Sequence, residues 1–203
     1  MNDDAFADRR RATEEDYFRK RDNELIDKMR SQTERTGARQ RLSERVGGAN
    51  DDLVQRLEAI GFTEETVLLL HLMPLVHVAW IEGTVSQRAA HQIFEAARDH
   101  GIEARSEADH QLQEWLRIRP SDMLFDEALL ALSTLLQQRT RIDRERDAQD
   151  LLERCTAIAA ASGGVLGFGK ISSREREVLD RIRRALESPP QTTRTSSGER
   201  DGS

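Results

Sequence analysis

Apolar positions are sparse at the start of the chain and dense in its middle, and that contrast predicts the architecture. Between Arg10 and Val46 charged residues dominate, with Glu15 and Arg19, Asp16 and Lys20, and Glu24 and Lys28 each four apart, the spacing at which opposite charges meet on a helix. One long charged helix over 10–46 is the expectation. Its apolar residues Phe18, Leu25 and Met29 follow a 7 and 4 spacing and form a stripe too narrow to face a core. Gly37 lowers its stability by roughly 1 kcal/mol relative to alanine and is a point where it could divide. Gly47 and Gly48 end the helix, and Asn50 or Asp51 caps a second one running to Ile60 before Gly61.

From Thr63 to Ile81 the chain is apolar nearly all round, which predicts a central buried helix bent at Pro74, where a backbone donor is missing. Ser86 caps a helix that stops near His100 at Gly101, and two more helices, Ser106 to Ile118 and Ser121 to Gln138, are separated by Pro120. A charged stretch leads into a helix over Arg146 to Ala161. A glycine-rich loop, Ser162 to Lys170, precedes a last helix from Ser172 to Leu186. From Ser188 the chain is rich in Pro, Thr, Ser and Gly, the composition of a disordered tail. The segments therefore divide as 1–48, a charged extended helix; 49–187, a helical bundle; and 188–203, the tail.

Composition agrees with an all-α chain. A third of the 203 residues are charged and only 4% are aromatic. The net charge of -6 argues against nucleic acid as a partner, because phosphate binding needs a basic surface. That charge is unevenly spread: residues 1–48 hold 12 Lys or Arg against 11 Asp or Glu, leaving 19 against 26 elsewhere. Cys155 is the only cysteine, so no internal disulfide forms, which fits a reducing compartment. The acidic N-terminus carries no apolar leader, and Val67 to Ile81 is too short and too interrupted to span a membrane. A cytoplasmic protein is expected.

An internal repeat is visible. Ala79-Trp80-Ile81-Glu82-Gly83-Thr84-Val85-Ser86 with Ile93 beyond it parallels Ala161-Ser162-Gly163 and Ile171-Ser172 with Leu179. Each reads as helix, glycine turn, serine cap, helix, and two such hairpins face to face bury stripes that neither buries alone. Over about residues 62–187 this duplicated hairpin resembles the TerB-like family, named for tellurite-resistance proteins. The resemblance implies a bundle of two repeated hairpins, a stress-associated role, and a divalent metal held by paired acidic turns. Of the four acidic positions so implied, Glu82 and Glu175 are present, whereas Ala89 and Ser162 stand at the others and eight residues are inserted after Ser162. Carboxylates suit calcium-like ions. The plain structural reading makes both glutamates solvated helix-end residues.

The N-terminal segment carries a second, shorter resemblance. Ala12, Glu14, Glu15, Tyr17, Phe18, Arg19, Arg21 and Glu24 are similar to the inhibitory stretch of the mitochondrial ATPase inhibitor protein family, a charged helix that inserts into F-type ATP synthase. That implies an ATP synthase partner. From the residues themselves, Tyr17 and Phe18 are the anchors of a helix that docks in a partner's groove, Leu25 and Met29 extend the stripe, and Glu14, Glu15, Arg19 and Arg21 supply charge. The aromatic pair could instead fold back on the bundle.

Other patterns carry less chemistry. Gly164 to Lys170 has P-loop spacing, but Ile171 occupies the magnesium-binding position and a helix precedes it. A flexible loop explains its glycines, and Phe168 at its tip could dock. His71 and His77 are six apart and share no helical face, so they read as core or boundary histidines. Cys155 reads as a buried structural thiol, and Trp80 and Trp115 as core residues. The expectation is a non-enzymatic regulatory or scaffold protein that docks a partner through its first helix. An inhibitor of ATP synthase hydrolysis and a metal-binding stress protein are the alternatives.

Overall fold

The computed structural model describes residues 27–48, 51–162 and 171–187. Among these residues the fold is all-α, with no strand. Helix α1 covers 27–45 and passes through Gly37 without a break. It is followed by α2 (Asp51–Ala59), a 3-10 helix (Val67–Leu72), α3 (Met73–Ala79), α4 (Gln87–Asp99), α5 (Glu107–Arg117), α6 (Asp122–Gln137), α7 (Arg141–Ser162) and α8 (Ser173–Glu187). The start of the first helix before residue 27, Asn50, the glycine-rich loop with Phe168 and the tail from Ser188 lie outside the described residues.

The apolar segment expected as one bent helix is two elements. The 3-10 turn Val67–Leu72 runs directly into α3, whose first turn contains Pro74. A proline there begins a helix instead of bending one, because the first-turn N–H groups have no intrahelical acceptor to lose. Upstream, Thr63 and Thr66 form a compact hydroxyl turn in which the Thr63 N–H donates to Thr66 Oγ1 at 2.9 Å. This competes with continuation of a helix.

Helix α7 begins five residues earlier than its apolar spacing suggests. Thr140 supplies the cap: its Oγ1 accepts from the Asp143 N–H at 3.2 Å and donates to the Asp143 carboxylate at 2.7 Å. The other starts follow the serines, since Ser86, Ser106 and Ser121 each accept the N–H three residues on at 3.1 Å. Helices α2 and α4 stop at Gly61 and Gly101, both left-handed, with the Phe62 N–H returning to Leu57 O and the Ile102 N–H to Ala97 O at 3.0 Å.

One continuous core joins Leu42 of α1 to Leu186 of α8. At its centre Leu69, Leu70, Leu72, Met73, Leu75, Val76 and Val78 are essentially inaccessible. Helices α4, α6, α7 and α8 pack around this segment, with α7 also against α4 and α8, and α6 against α2. Each such side chain contributes about 1.5–3 kcal/mol of burial, so this stretch is the main source of cohesion. Polar bonds fix the register of the outer helices. Ser133, buried in α6, donates to the Ala185 carbonyl of α8 at 2.6 Å, and the Trp80 indole donates to the Trp115 carbonyl at 2.8 Å. Both tryptophans are half-buried at the edge of the core.

Two histidines lie within the central segment. His77 stacks flat on Phe125, with ring centroids 4.2 Å apart, and His71 lies against His100 at 5.6 Å. Burial lowers both from the ordinary 6.5 to about 4, aided by His100 and Arg139 at His71 and by Arg181 and Arg119 at His77. Each is therefore neutral in the native state at pH 5, where the unfolded chain is protonated. Stability should fall as the pH drops from 6.5 to 4, by roughly 2 kcal/mol per histidine once partial solvent access is allowed for. Urea unfolding at pH 7.5 and pH 4.2 checks this. His77→Phe should keep the stack and remove about half of the difference between the two conditions, and an unchanged difference would refute the assignment to His77.

Candidate functional site

Glu82 follows α3 and Glu175 lies in the first turn of α8, far apart in sequence. The fold brings them to one junction through Ser172. The Ser172 hydroxyl donates to Glu82 Oε1 at 3.3 Å and accepts the Glu175 N–H at 3.2 Å, while the Ser172 N–H donates to Glu175 Oε2 at 2.6 Å. The last two bonds form a capping box, in which serine and glutamate satisfy each other's backbone donors. A crossed contact lies beside it: Ser86, which caps α4, donates through Oγ to the Ala161 carbonyl near the end of α7 at 3.2 Å. Each serine cap thus touches the chain near the end of a helix remote from it in sequence.

The expectation of two solvated glutamates holds for Glu82, which is exposed, and fails for Glu175, which is 1% exposed. The capping box turns the Glu175 side chain back against the α8 N-terminus instead of out to water. Its second oxygen, Oε1, is buried without a hydrogen-bond partner among the described residues. An unpaired buried carboxylate oxygen is costly. The α8 amino end, a region of positive partial charge, offsets part of that cost. The Ser172-Ser173-Arg174-Glu175 pattern is the sequence signal for this arrangement, a serine followed three residues later by glutamate.

A cation cage is not built here from protein groups alone. Among the described residues no group of three or more His, Cys, Asp or Glu is placed to hold a metal. Two carboxylates and a hydroxyl fall well short of the six to eight oxygens that Ca2+ takes; a hydrated Mg2+, which keeps several waters and uses one or two carboxylates, is the hard ion closest to this set. Cys155 offers no alternative chemistry. It is buried in α7, and desolvation raises its thiol to about 12, which keeps it protonated and unreactive.

Of the docking residues, only Met29 falls within the described chain. Glu14, Glu15, Tyr17, Phe18, Arg19, Arg21 and Leu25 lie outside it. Met29 is 61% exposed, and every residue from 27 to 36 is exposed. Hydroxyls on this stretch bond back to their own helix, Ser31 to Asp27 O, Thr33 to Met29 O and Thr36 to Gln32 O, each at 2.9 Å. The helix joins the bundle only further on. Leu42 enters the core, Arg41 pairs with Glu64, and Arg39 reaches Asp51 and Glu58, both at 3.7 Å.

Comparisons of the chain with protein-family models, with curated proteins and with solved structures returned no match. No helix among the described residues is long and apolar enough to cross a membrane.

The capping box makes a direct prediction. Ser172→Ala removes the acceptor for the Glu175 N–H and the donor to Glu82, and should lower unfolding stability by about 1–2 kcal/mol, within the usual range for cap loss. Chemical denaturation of the variant beside Ser173→Ala, whose hydroxyl makes no such bond, would test it. Equal stability of the two variants would count against the cap.

Proposed function

We propose that this chain is a non-enzymatic regulatory or scaffold protein, a TerB-like bundle that docks a partner protein through its N-terminal helix. The observation that supports this is the exposed run 27–36, about 15 Å of regular helix with no apolar face against its own domain. Such a helix has little of its own to bury, and a groove on another protein supplies what the bundle does not. On this reading Tyr17 and Phe18 are the anchors, Leu25 and Met29 extend the apolar stripe, and Glu14, Glu15, Arg19 and Arg21 set orientation by charge. The contacts of Ser86 with Ala161 and of Ser172 with Glu82 favour the two-hairpin, TerB-like view of the bundle. A cytoplasmic setting belongs to the same reading, and an F-type ATP synthase partner to the inhibitor alternative.

Affinity capture with the full chain and with Tyr17→Ala/Phe18→Ala tests the docking role. One complex enriched on the wild type and lost from the variant, with the same thermal midpoint in both, is the expected result. Identical captures, or a midpoint lowered by about 4 °C or more in the variant, would return the aromatics to the chain's own core. The inhibitor alternative requires in addition that the captured complex be ATP synthase and that the full chain slow its hydrolysis of ATP.

The unpaired Glu175 Oε1 favours a second reading, a weak, water-rich divalent-cation site at Glu82 and Glu175. Calorimetric titration with Mg2+ and Ca2+ should then show saturable binding that Glu82→Gln abolishes. Equal heats from wild type and variant would dispose of it.

A further inference from the structure

Two adjoining cavities, about 380 and 270 Å3, open beside the central segment and share His71, Leu136 and Arg139 as walls. The larger lies where α1 ends, α6 ends and the 3-10 turn passes, and no acidic side chain lines it. That is unusual for a chain whose net charge is -6. Its floor is aliphatic, with Leu68 and Leu135 only partly covered by the core. Arg45, Arg139 and Gln138 stand around it as donors, and the His71 ring forms part of the wall between the two spaces.

Arginines at helix ends often cap free carbonyls, and here that role is already filled. The Gly47 and Gly48 N–H groups return to Glu44 O and Ser43 O at the end of α1, and the Gln138 and Arg139 N–H groups return to Leu135 O and Leu136 O at the end of α6. Among the described residues the Arg45 guanidinium makes no hydrogen bond and no ion pair. Arg139 pairs with Asp147, Nε lying 3.5 Å from the carboxylate, and makes no side-chain hydrogen bond among the described residues. His71 has its ring contact with His100 and no hydrogen bond to either nitrogen among the described residues.

We propose that this cavity binds a small amphiphilic carboxylate, the anionic head held between Arg45 and Arg139 and the hydrocarbon body laid on Leu68 and Leu135 beside His71. Guanidinium groups match a carboxylate in shape and charge, and an aliphatic floor with a few convergent donors is the usual make-up of a small-molecule site. The volume lies at the small end of such sites, which suits a medium-length acyl chain or a single aromatic ring. The second cavity is lined by Asp150 and by Asp147, the partner of Arg139, so an anionic head is favoured in the first cavity, where no acidic side chain stands.

Octanoate is the probe, with octan-1-ol and octylamine as neutral and cationic controls of equal length, titrated calorimetrically into the full chain and followed by the ring nitrogen resonances of His71. Saturable octanoate binding that moves the His71 resonances, is absent for octylamine and is weakened about tenfold or more by Arg45→Gln/Arg139→Gln supports the site. Both arginines are exposed, so the variant should fold, and wild-type binding alone decides the first arm. No saturable octanoate binding, equal binding of octanol, or full retention in the double variant would overturn the proposal.

Discussion

Everything in this bundle is arranged around one segment that must be kept from water. From Val67 to Ala79 the chain is so uniformly apolar that a single covered face does not suffice. Short helical elements placed end to end, the 3-10 turn and α3, give a rod that can be enclosed on several sides at once. The flanking helices supply that enclosure, each turning its own buried residues inward: Ile93 from α4, Leu132 from α6, Ile158 from α7 and Ile182 from α8. Even the polar interruptions conform. His71 and His77 are tolerated because each finds an aromatic neighbour and gives up its charge.

Enclosure on several sides brings remote turns together, and the polar chemistry collects where they meet. Ser86 and Ser172 do double service there, each capping a helix start while touching the end of a helix remote in sequence. Asp109 shows the same economy at the α4 to α5 turn. It is buried, accepts from the Arg105 N–H at 2.9 Å, Arg98 Nη2 at 2.7 Å and Gln113 Nε2 at 3.0 Å, and so holds Arg105 in a left-handed conformation that arginine rarely adopts. The same donors keep its carboxyl below the usual aspartate range, the Arg105 backbone first among them.

Much of this was legible in the chain itself. Serines at 86, 106 and 121 and glycines at 61 and 101 mark helix ends by local chemistry, and the structure places those ends within a residue. What local pattern could not convey was tertiary. Periodicity does not distinguish a proline that bends a helix from one that starts it, so the central segment read as continuous. Thr140 and Asp143 form a cap as clear as the serine caps, yet the charge around them masked the helix start. Glu175 reads as an exposed acid because a charged residue in a helix's first turn ordinarily faces water, whereas its burial follows from the capping box and the packing around it. The meeting of His71 with His100, and of both with Arg139, depends on three elements packing together and leaves no trace in any window of sequence.

Helix α1 has a further consequence, through the way it is anchored. Its carboxyl end is held from three directions, by Leu42 in the core, by Arg41 on Glu64 and by Arg39 on α2, while the turns before Gly37 stand clear. A continuous helix is stiff over this length, so the projecting part behaves as a strut of fixed bearing and not as a tether. Whatever meets its outer end meets it at a set distance and angle from the bundle. Little orientational freedom is left to lose on contact, and the bulk of the domain becomes a steric gauge of which surfaces the strut can approach.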